Sequence, residues 1–319
     1  MWKLILRRFL IMIPQLLLMT VLLFALAKMM PGDPFTGRFS AHTDIHTLLR
    51  LKREAGLDDP WPTQYFRWIG NILHGNFGNS YVLQKPVATL LGQRIQNTVW
   101  LGLLTIILIY SIGIPTAVAA ATHEGSFRDR FWTTYNSITG GIPAFVMYIF
   151  MLFLFGFTLN WFPTTGSVNI DANGFWSILG SRLYHMILPA LSVALFSTVS
   201  LFNTLRTSLL DARSSDYVRT AKAKGVPNRQ VFWRHIFRNS MLPVASTIGF
   251  DIVGVFSGAV ILETVFGYPG MGQLFVQSIT TRDYTTMNAI MLFSGTLTLL
   301  GSMLNDIIMS WVDPRIRIK

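Results

Sequence analysis

The sequence predicts an all-α membrane protein with six transmembrane helices, and three observations predict it. Of 319 residues, 51% are hydrophobic and only 13% are charged, against roughly 25% charged residues in an average soluble domain. Six apolar runs approach or exceed the about 20 residues that a helix needs to cross a bilayer. Basic residues are plentiful in alternate connections between those runs and scarce in the others. The chain holds no cysteine, which excludes disulfides and thiolate metal sites.

The elements follow in chain order. Residues 1–30 carry the N-terminal tail and the first span, Phe9 to Met30, which Lys3, Arg7 and Arg8 precede. The run ends in Ala25-Leu26-Ala27, a pattern that also fits a signal-peptidase site; its length exceeds the usual signal core and favours a retained anchor. Residues 31–97 form an extracytoplasmic insert, and 98–319 a core with spans at Thr98 to Thr122, Phe131 to Asn160, Met186 to Leu205, Leu242 to Leu262 and Thr286 to Met309. The third of the six spans is so long that it must tilt or begin as an interfacial helix. Pro115, Pro143 and Pro189 fall inside spans, each as a packing kink or as a bend that shapes a pathway.

Net charge is +11 and the pI about 10.2. Its distribution decides what that means. Lys3, Arg7 and Arg8 stand at the N-terminus, Arg128 and Arg130 in loop 123–130, eight basic residues in loop 206–240, and Arg315, Arg317 and Lys319 in the tail. The opposite short loops hold only Arg182 and Arg282. The positive-inside rule then places both termini in the cytosol. Charge set beside membrane faces, rather than gathered on a soluble domain, argues for a lipid bilayer partner and against nucleic acid.

Within the insert, Pro62 suits a helix start, and Tyr65, Phe66, Trp68, Ile69, Ile72 and Leu73 form an apolar stripe opposite Gln64, Arg67, Asn71 and His74. This helix lies against the outer leaflet or neighbouring spans, or forms part of a landing surface; the two are compatible. His42 and His46 are spaced i, i+4 around Asp44 and read as polar surface rather than metal ligands.

Loop 206–240 contains SDYVRTAKAKGVP, followed by a basic, aromatic segment. Ser215 is placed to cap a first turn and Asp216 to complement the helix start, while Gly225 and Pro227 stop a helix of about nine residues, too short to persist alone. Tyr217, Val218 and Ala221 share one side, and Arg219, Lys222 and Ala223 another. A second helix from Pro227 carries Phe232, Trp233, Ile236 and Phe237 with Arg229, Arg234 and Arg238, a pattern suited to the membrane interface. A solvated basic loop that only fixes topology is the plainer reading.

The stretch Asp216 to Gly225 resembles the cytoplasmic motif of ABC importer permeases, in the form used by the oligopeptide, dipeptide and nickel branch. Arg219 and Thr220 stand where the general motif has Glu and Ala, with Ala221 and Gly225 in place. Pro31-Gly32-Asp33-Pro34, GLDDPWPTQYFRW at 56–68, GNFGNSY at 75–81, ETVFGYPGMG at 263–272 and DPRIR at 313–317 extend the likeness along nearly the whole chain. It is most similar to the long-insert permease of an oligopeptide importer.

The resemblance implies a type I ABC importer permease fold in the bacterial plasma membrane. It also implies a second homologous permease, two cytosolic ABC ATPases that bind ATP and Mg, an extracytoplasmic peptide-binding protein and a peptide substrate moved by alternating access. The helix formed by Asp216, Tyr217, Val218, Arg219, Ala221, Lys222, Ala223 and Gly225 would dock on an ATPase as a coupling helix. The chain itself is not the motor, because no Gly is followed by Lys and a Walker A pattern is therefore missing. No cofactor or catalytic residue is expected. Asp251, Asn203, Asn305, Asp306, Phe266 and Tyr268 are the pathway or gate candidates. Asp251 divides evenly between a pathway role and a structural hydrogen bond, and the 263–272 loop between a re-entrant element and a tight outer turn. A nickel importer of the same branch and an ion-coupled secondary transporter are the rival functions.

Overall fold

The computed structural model describes residues 2–29, 58–80, 82–257 and 259–312. The motif at 31–34, His42 and His46, and the motif at 313–317 lie outside the described residues, as do the first two residues of the 56–68 motif and the last of the 75–81 motif. Helix α1 (Trp2–Met29) leads to the described part of the insert, α2 (Trp61–Leu73) and two short antiparallel strands, β1 (Asn79–Ser80) and β2 (Lys85–Pro86). Helix α3 (Val87–Thr122) has 36 residues and is about 54 Å long at 1.5 Å per residue, well beyond the roughly 30 Å of a hydrocarbon core. Next come α4 (Phe127–Gly141), α5 (Ala144–Met151) with a π-helical continuation (Leu152–Thr158), α6 (Phe175–Phe196), α7 (Val199–Ser214) and α8 (Asp216–Ala223). An interrupted helix, α9, comprises Asn228–Gln230, a π-helical stretch Val231–Phe237 and Arg238–Ser240. Helices α10 (Leu242–Ser257), α11 (Val260–Val265), α12 (Met271–Thr280) and α13 (Tyr284–Val312) complete the chain.

Among the described residues, four helices are long and apolar enough to cross a membrane, at Ile5–Met29, Val87–Thr122, Phe175–Phe196 and Tyr284–Ile307, or five if a bent helix pair counts as one span. The expected third span is not one rod. It is α4 and α5, bent by 101° at Ile142 and Pro143. Proline disfavours helical backbone at the residue before it, and Ile142 is extended (φ −99°, ψ 130°). Pro115 and Pro189, by contrast, sit inside continuous helices. The expected fourth span, Met186 to Leu205, also divides: α6 begins at Phe175 and ends at Phe196. The Leu195 carbonyl, which a continued helix would offer to Val199, accepts a 2.8 Å bond from the Tyr135 hydroxyl instead. The expected fifth span, 242–262, is split between α10 and α11.

The ends of the bundle are defined by contacts between distant residues. Arg8 Nε of α1 lies 2.7 Å from Asp306 Oδ2 of α13, an ion pair that lacks the alignment of a hydrogen bond. α10 packs along α13 so closely at Gly249 that a Cβ there would stand 2.6 Å from the Asn305 Cα. The start of α1, the end of α13 and the start of α10, with the α8–α9 segment before it, therefore share one end. At the other end the Tyr65 hydroxyl of α2 is 2.8 Å from Thr20 Oγ1, and its ring meets Phe24 edge-on at 5.5 Å. Ser80 of β1 donates to Asp283 Oδ2 at 2.5 Å, just before α13. The stripe expected on α2 is half-buried at Tyr65, Trp68, Ile69 and Ile72, but one residue placed opposite it turns inward. Gln64 is buried, accepts from Lys28 and donates to the Asp59 carbonyl, whereas Phe66 and Leu73 are exposed.

Candidate functional site

Two sites emerge, one at each end of a cavity. At the end that carries both described helix termini, Phe202, Leu205 and Leu209 of α7, Ala117, Ala120 and Ala121 of α3, and Val244 of α10 form one buried cluster. Helix α8 joins it through Val218, 1% exposed, and Ala221, 7% exposed. The other side, with Asp216, Tyr217, Arg219, Lys222 and Ala223, is exposed, Arg219 to 76%. Val218 and Ala221 thus anchor the helix to this chain's own core, and Tyr217 belongs to the free face. Ser215 occupies the cap position without capping, since its hydroxyl turns back to the Ala212 carbonyl.

The end of α8 is built as a double bond-back. Gly225 N–H donates to the Lys222 carbonyl at 2.9 Å and Val226 N–H to the Ala221 carbonyl at 3.2 Å. This closure needs a left-handed residue, supplied by Gly225 at φ +75°, and it brings Val226 against the buried cluster. α9 is not the expected α-helix throughout. In its π-helical stretch residues five apart align, so Val231 and Ile236 are buried together and the Phe232 and Phe237 rings lie 6.4 Å apart. Trp233 and Arg234 remain exposed. Beside this platform, Arg206 of α7 grips Asp129 of α4 with two bonds of 2.7 and 2.9 Å.

A cavity of 430 Å³ lies between α3, α6, α7, α10 and α11. Its lining runs along α3 from Thr98 to Tyr110, about 18 Å at the helical rise. Most of the wall is apolar or hydroxylic; the carboxylates are Asp251 and Glu263, and no Lys, Arg or His contributes among the described residues. Asp251 Oδ2 accepts a 2.6 Å bond from the Tyr110 hydroxyl, so this residue both faces the cavity and bonds across helices.

At the far end, α11 and α12 form a hairpin stitched to α3. Glu263 is 1% exposed. Its Oε1 accepts from Thr98 Oγ1 at 2.8 Å, and its Oε2 from the backbone N–H groups of Gly272 and Gln273 at 2.7 and 3.1 Å. The first turn of α12 thereby holds an internal anion, as helix N-termini favour. A Cβ at Gly270 would stand 2.3 Å from that carboxylate, and one at Gly272 would stand 2.5 Å from the Val260 Cα. Asn97 Nδ2 donates to the Pro269 carbonyl at 2.9 Å, and Arg182 donates to Asn97 Oδ1 at 3.1 Å.

Of the gate candidates, Asp251 alone lines this cavity. Phe266 and Tyr268 are buried beneath it against Leu101, Met186 and Leu188, and the Tyr268 hydroxyl bonds the Asn97 carbonyl at 3.3 Å. Asn203 is exposed on α7, while Asn305 and Asp306 lie in the contacts of α13 with α10 and α1. Glu263, Thr98 and Tyr110 were not singled out from the sequence. A carboxylate ending an apolar run, with two close glycines after it, was a readable sign for Glu263; nothing local links Tyr110 to Asp251.

Residues 113–318 match the family described as binding-protein-dependent transport system inner membrane component, and residues 1–105 match its N-terminal companion. The chain belongs to this family. It is 37% identical over 316 residues to an oligopeptide transport system permease protein, AppB, of Bacillus subtilis, with 98% of each chain covered. It is 32% identical over 316 residues to the glutathione transport system permease protein GsiC of Salmonella paratyphi A, with 99% of each covered. A solved structure of the MetNI methionine ABC transporter, in an inward-facing conformation, superposes with a TM-score of 0.54 at 15% identity over 70% of this chain and 96% of that one. The fold is therefore that of a type I ABC importer permease. The chain is a membrane permease component and not an enzyme.

Proposed function

We propose that this permease is one of two homologous subunits of an importer that takes up peptides across the bacterial plasma membrane, with both termini in the cytosol. Two cytosolic ATPases, which bind ATP and Mg, drive it, and an external binding protein delivers the peptide. The names of the relatives, oligopeptide and glutathione permeases among them, support the substrate class. One observation carries the energetic part of this reading: α8 is fixed on its inner side by Val218, Ala221 and Val226 and offers Tyr217, Arg219 and Lys222 on its outer side.

A helix clamped on one face transmits force; a free loop dissipates it. An ATPase groove lined with carboxylates would pair with Arg219 and Lys222 and seat the Tyr217 ring. Movement of α8 would be passed through the shared cluster to α7, α3 and α10, three of the helices that wall the cavity. Displacing them together exchanges access between the two ends. Ion coupling by a carboxylate pair fits less well, because Glu263 already accepts three hydrogen bonds.

Purification of a tagged chain should bring down a second permease and Walker-containing ATPases. Reversal of both charges, Arg219→Glu with Lys222→Glu, should abolish ATP-driven uptake while leaving membrane insertion intact. Full uptake by the reversed variant would remove the docking role.

A further inference from the structure

The cavity holds two carboxylates in opposite states. Glu263 is saturated by a hydroxyl and two backbone donors and has no capacity left for a substrate. Asp251 has one donor, the Tyr110 hydroxyl on Oδ2, and among the described residues no Lys, Arg or His lies within ion-pair distance of it. A single neutral donor orients a carboxylate without neutralising it. A charge placed midway along an apolar helix is costly to leave unmatched, and such groups mark substrate or ion paths.

The surroundings of Asp251 fit a cation of small cross-section. Thr247, one turn earlier on α10, lines the same wall and lies against the Tyr110 hydroxyl; its own hydroxyl donates to the Val244 carbonyl at 2.9 Å, so its oxygen can offer a lone pair but no proton. Gly254, three residues later, lines it too, and open space surrounds the position a side chain would occupy there. A protonated amine carries three donors and needs clustered acceptors with no competing positive charge nearby. Asp251 Oδ1 and Thr247 Oγ1 supply acceptors on one helical face.

We infer that Asp251, positioned by Tyr110, is a recognition station for a primary ammonium group of the peptide in transit, either its free N-terminus or a lysine side chain. This deepens the peptide-import reading and rests on it. The station is weak, because the carboxylate is exposed and one charge-assisted contact is worth about tenfold in affinity. A weak station also allows release.

The test uses the assembled transporter in nanodiscs without its binding protein, and saturation-transfer NMR to obtain dissociation constants for trialanine and N-acetyl-trialanine. The wild type should prefer trialanine by about tenfold, and Asp251→Asn should erase the preference. Tyr110→Phe, which keeps the charge but frees its orientation, should reduce the preference without reversing it. A third probe, N-acetyl-Ala-Lys-Ala-amide, separates the sources: binding like trialanine assigns any primary ammonium, and binding like the acetylated peptide assigns the N-terminus. Equal affinities in the wild type, a preference that survives Asp251→Asn, or no binding of either peptide would overturn the inference. So would an Asp251→Asn chain that inserts but no longer pairs with its partner permease, since the carboxylate would then be an interface charge. ATP-driven uptake of trialanine with the binding protein present is measured separately: its absence sinks the import reading, whereas the NMR result alone sinks only the station.

Discussion

At one end of the bundle α8 and α9 are joined through Gly225; at the other α11 and α12 are joined through Gly267 to Gly270. Both connections use glycine to turn a short helix back, yet their surroundings differ. The α11–α12 hairpin is held at its turn, with Glu263, Phe266, Tyr268 and Met271 all buried and the turn bonded to Asn97 and Glu263, while Ile261 and Ile279 remain exposed. α8 is held on one side only, and its charged side is exposed. The difference teaches how a permease separates its tasks. If α8 receives work, as proposed, it must be rigid toward its own chain and open toward its neighbour, while an element that closes a cavity needs satisfied polar groups.

The largest expected effect comes from breaking the closed hairpin. Glu263→Ala leaves the Thr98 hydroxyl proton and two backbone N–H groups without acceptors, and each buried unsatisfied donor costs about 1–3 kcal/mol. Thermal unfolding in detergent, followed by size-exclusion fluorescence, should show a marked loss of folded protein; a melting temperature close to wild type would contradict the role given to this carboxylate. Gly249→Val should follow, since overpacking of a tight contact costs about 1–3 kcal/mol, and the same assay reads it. Val218→Ala removes two buried methyl groups at about 0.8 kcal/mol each. It should loosen α8 and lower the uptake obtained per ATP hydrolysed in proteoliposomes, whereas tight coupling would show that the inner face of α8 does not transmit force. The smallest effect is expected of Ser215→Ala. A capping serine is worth about 1 kcal/mol, but this side chain bonds Ala212 instead, so the change in stability should stay below that value.

Much of this architecture was legible in the sequence because apolar run length and charge placement report it directly. The six runs fall on α1, α3, α4 with α5, α6 with the start of α7, α10 with α11, and α13, and the stop at Gly225 and Pro227 falls where the residues put it. Breaks inside apolar runs were not legible. Ile142-Pro143 was one of three internal prolines, and only its 101° bend distinguishes it from Pro115 and Pro189. The end of α6 depends on Tyr135, some 60 residues away, and hydropathy carries no trace of that bond. The two-sided character of α8 was visible from helical periodicity, but which side turns inward was not, because Ala221 suits a core or a docking groove equally well. The same limit hid the cavity: Asp251 stood out as a lone charge, while Tyr110 gains its meaning only once α3 and α10 are side by side.

The central claim is that α8 is anchored from within and driven from without. Photoreactive side chains placed one at a time at Tyr217 and at Ala221 in the assembled, ATP-hydrolysing transporter test it most directly. Capture of an ATPase from position 217, with capture confined to this chain's own helices from position 221, is the predicted result. Capture of an ATPase from 221 but not from 217, or from neither, would contradict it.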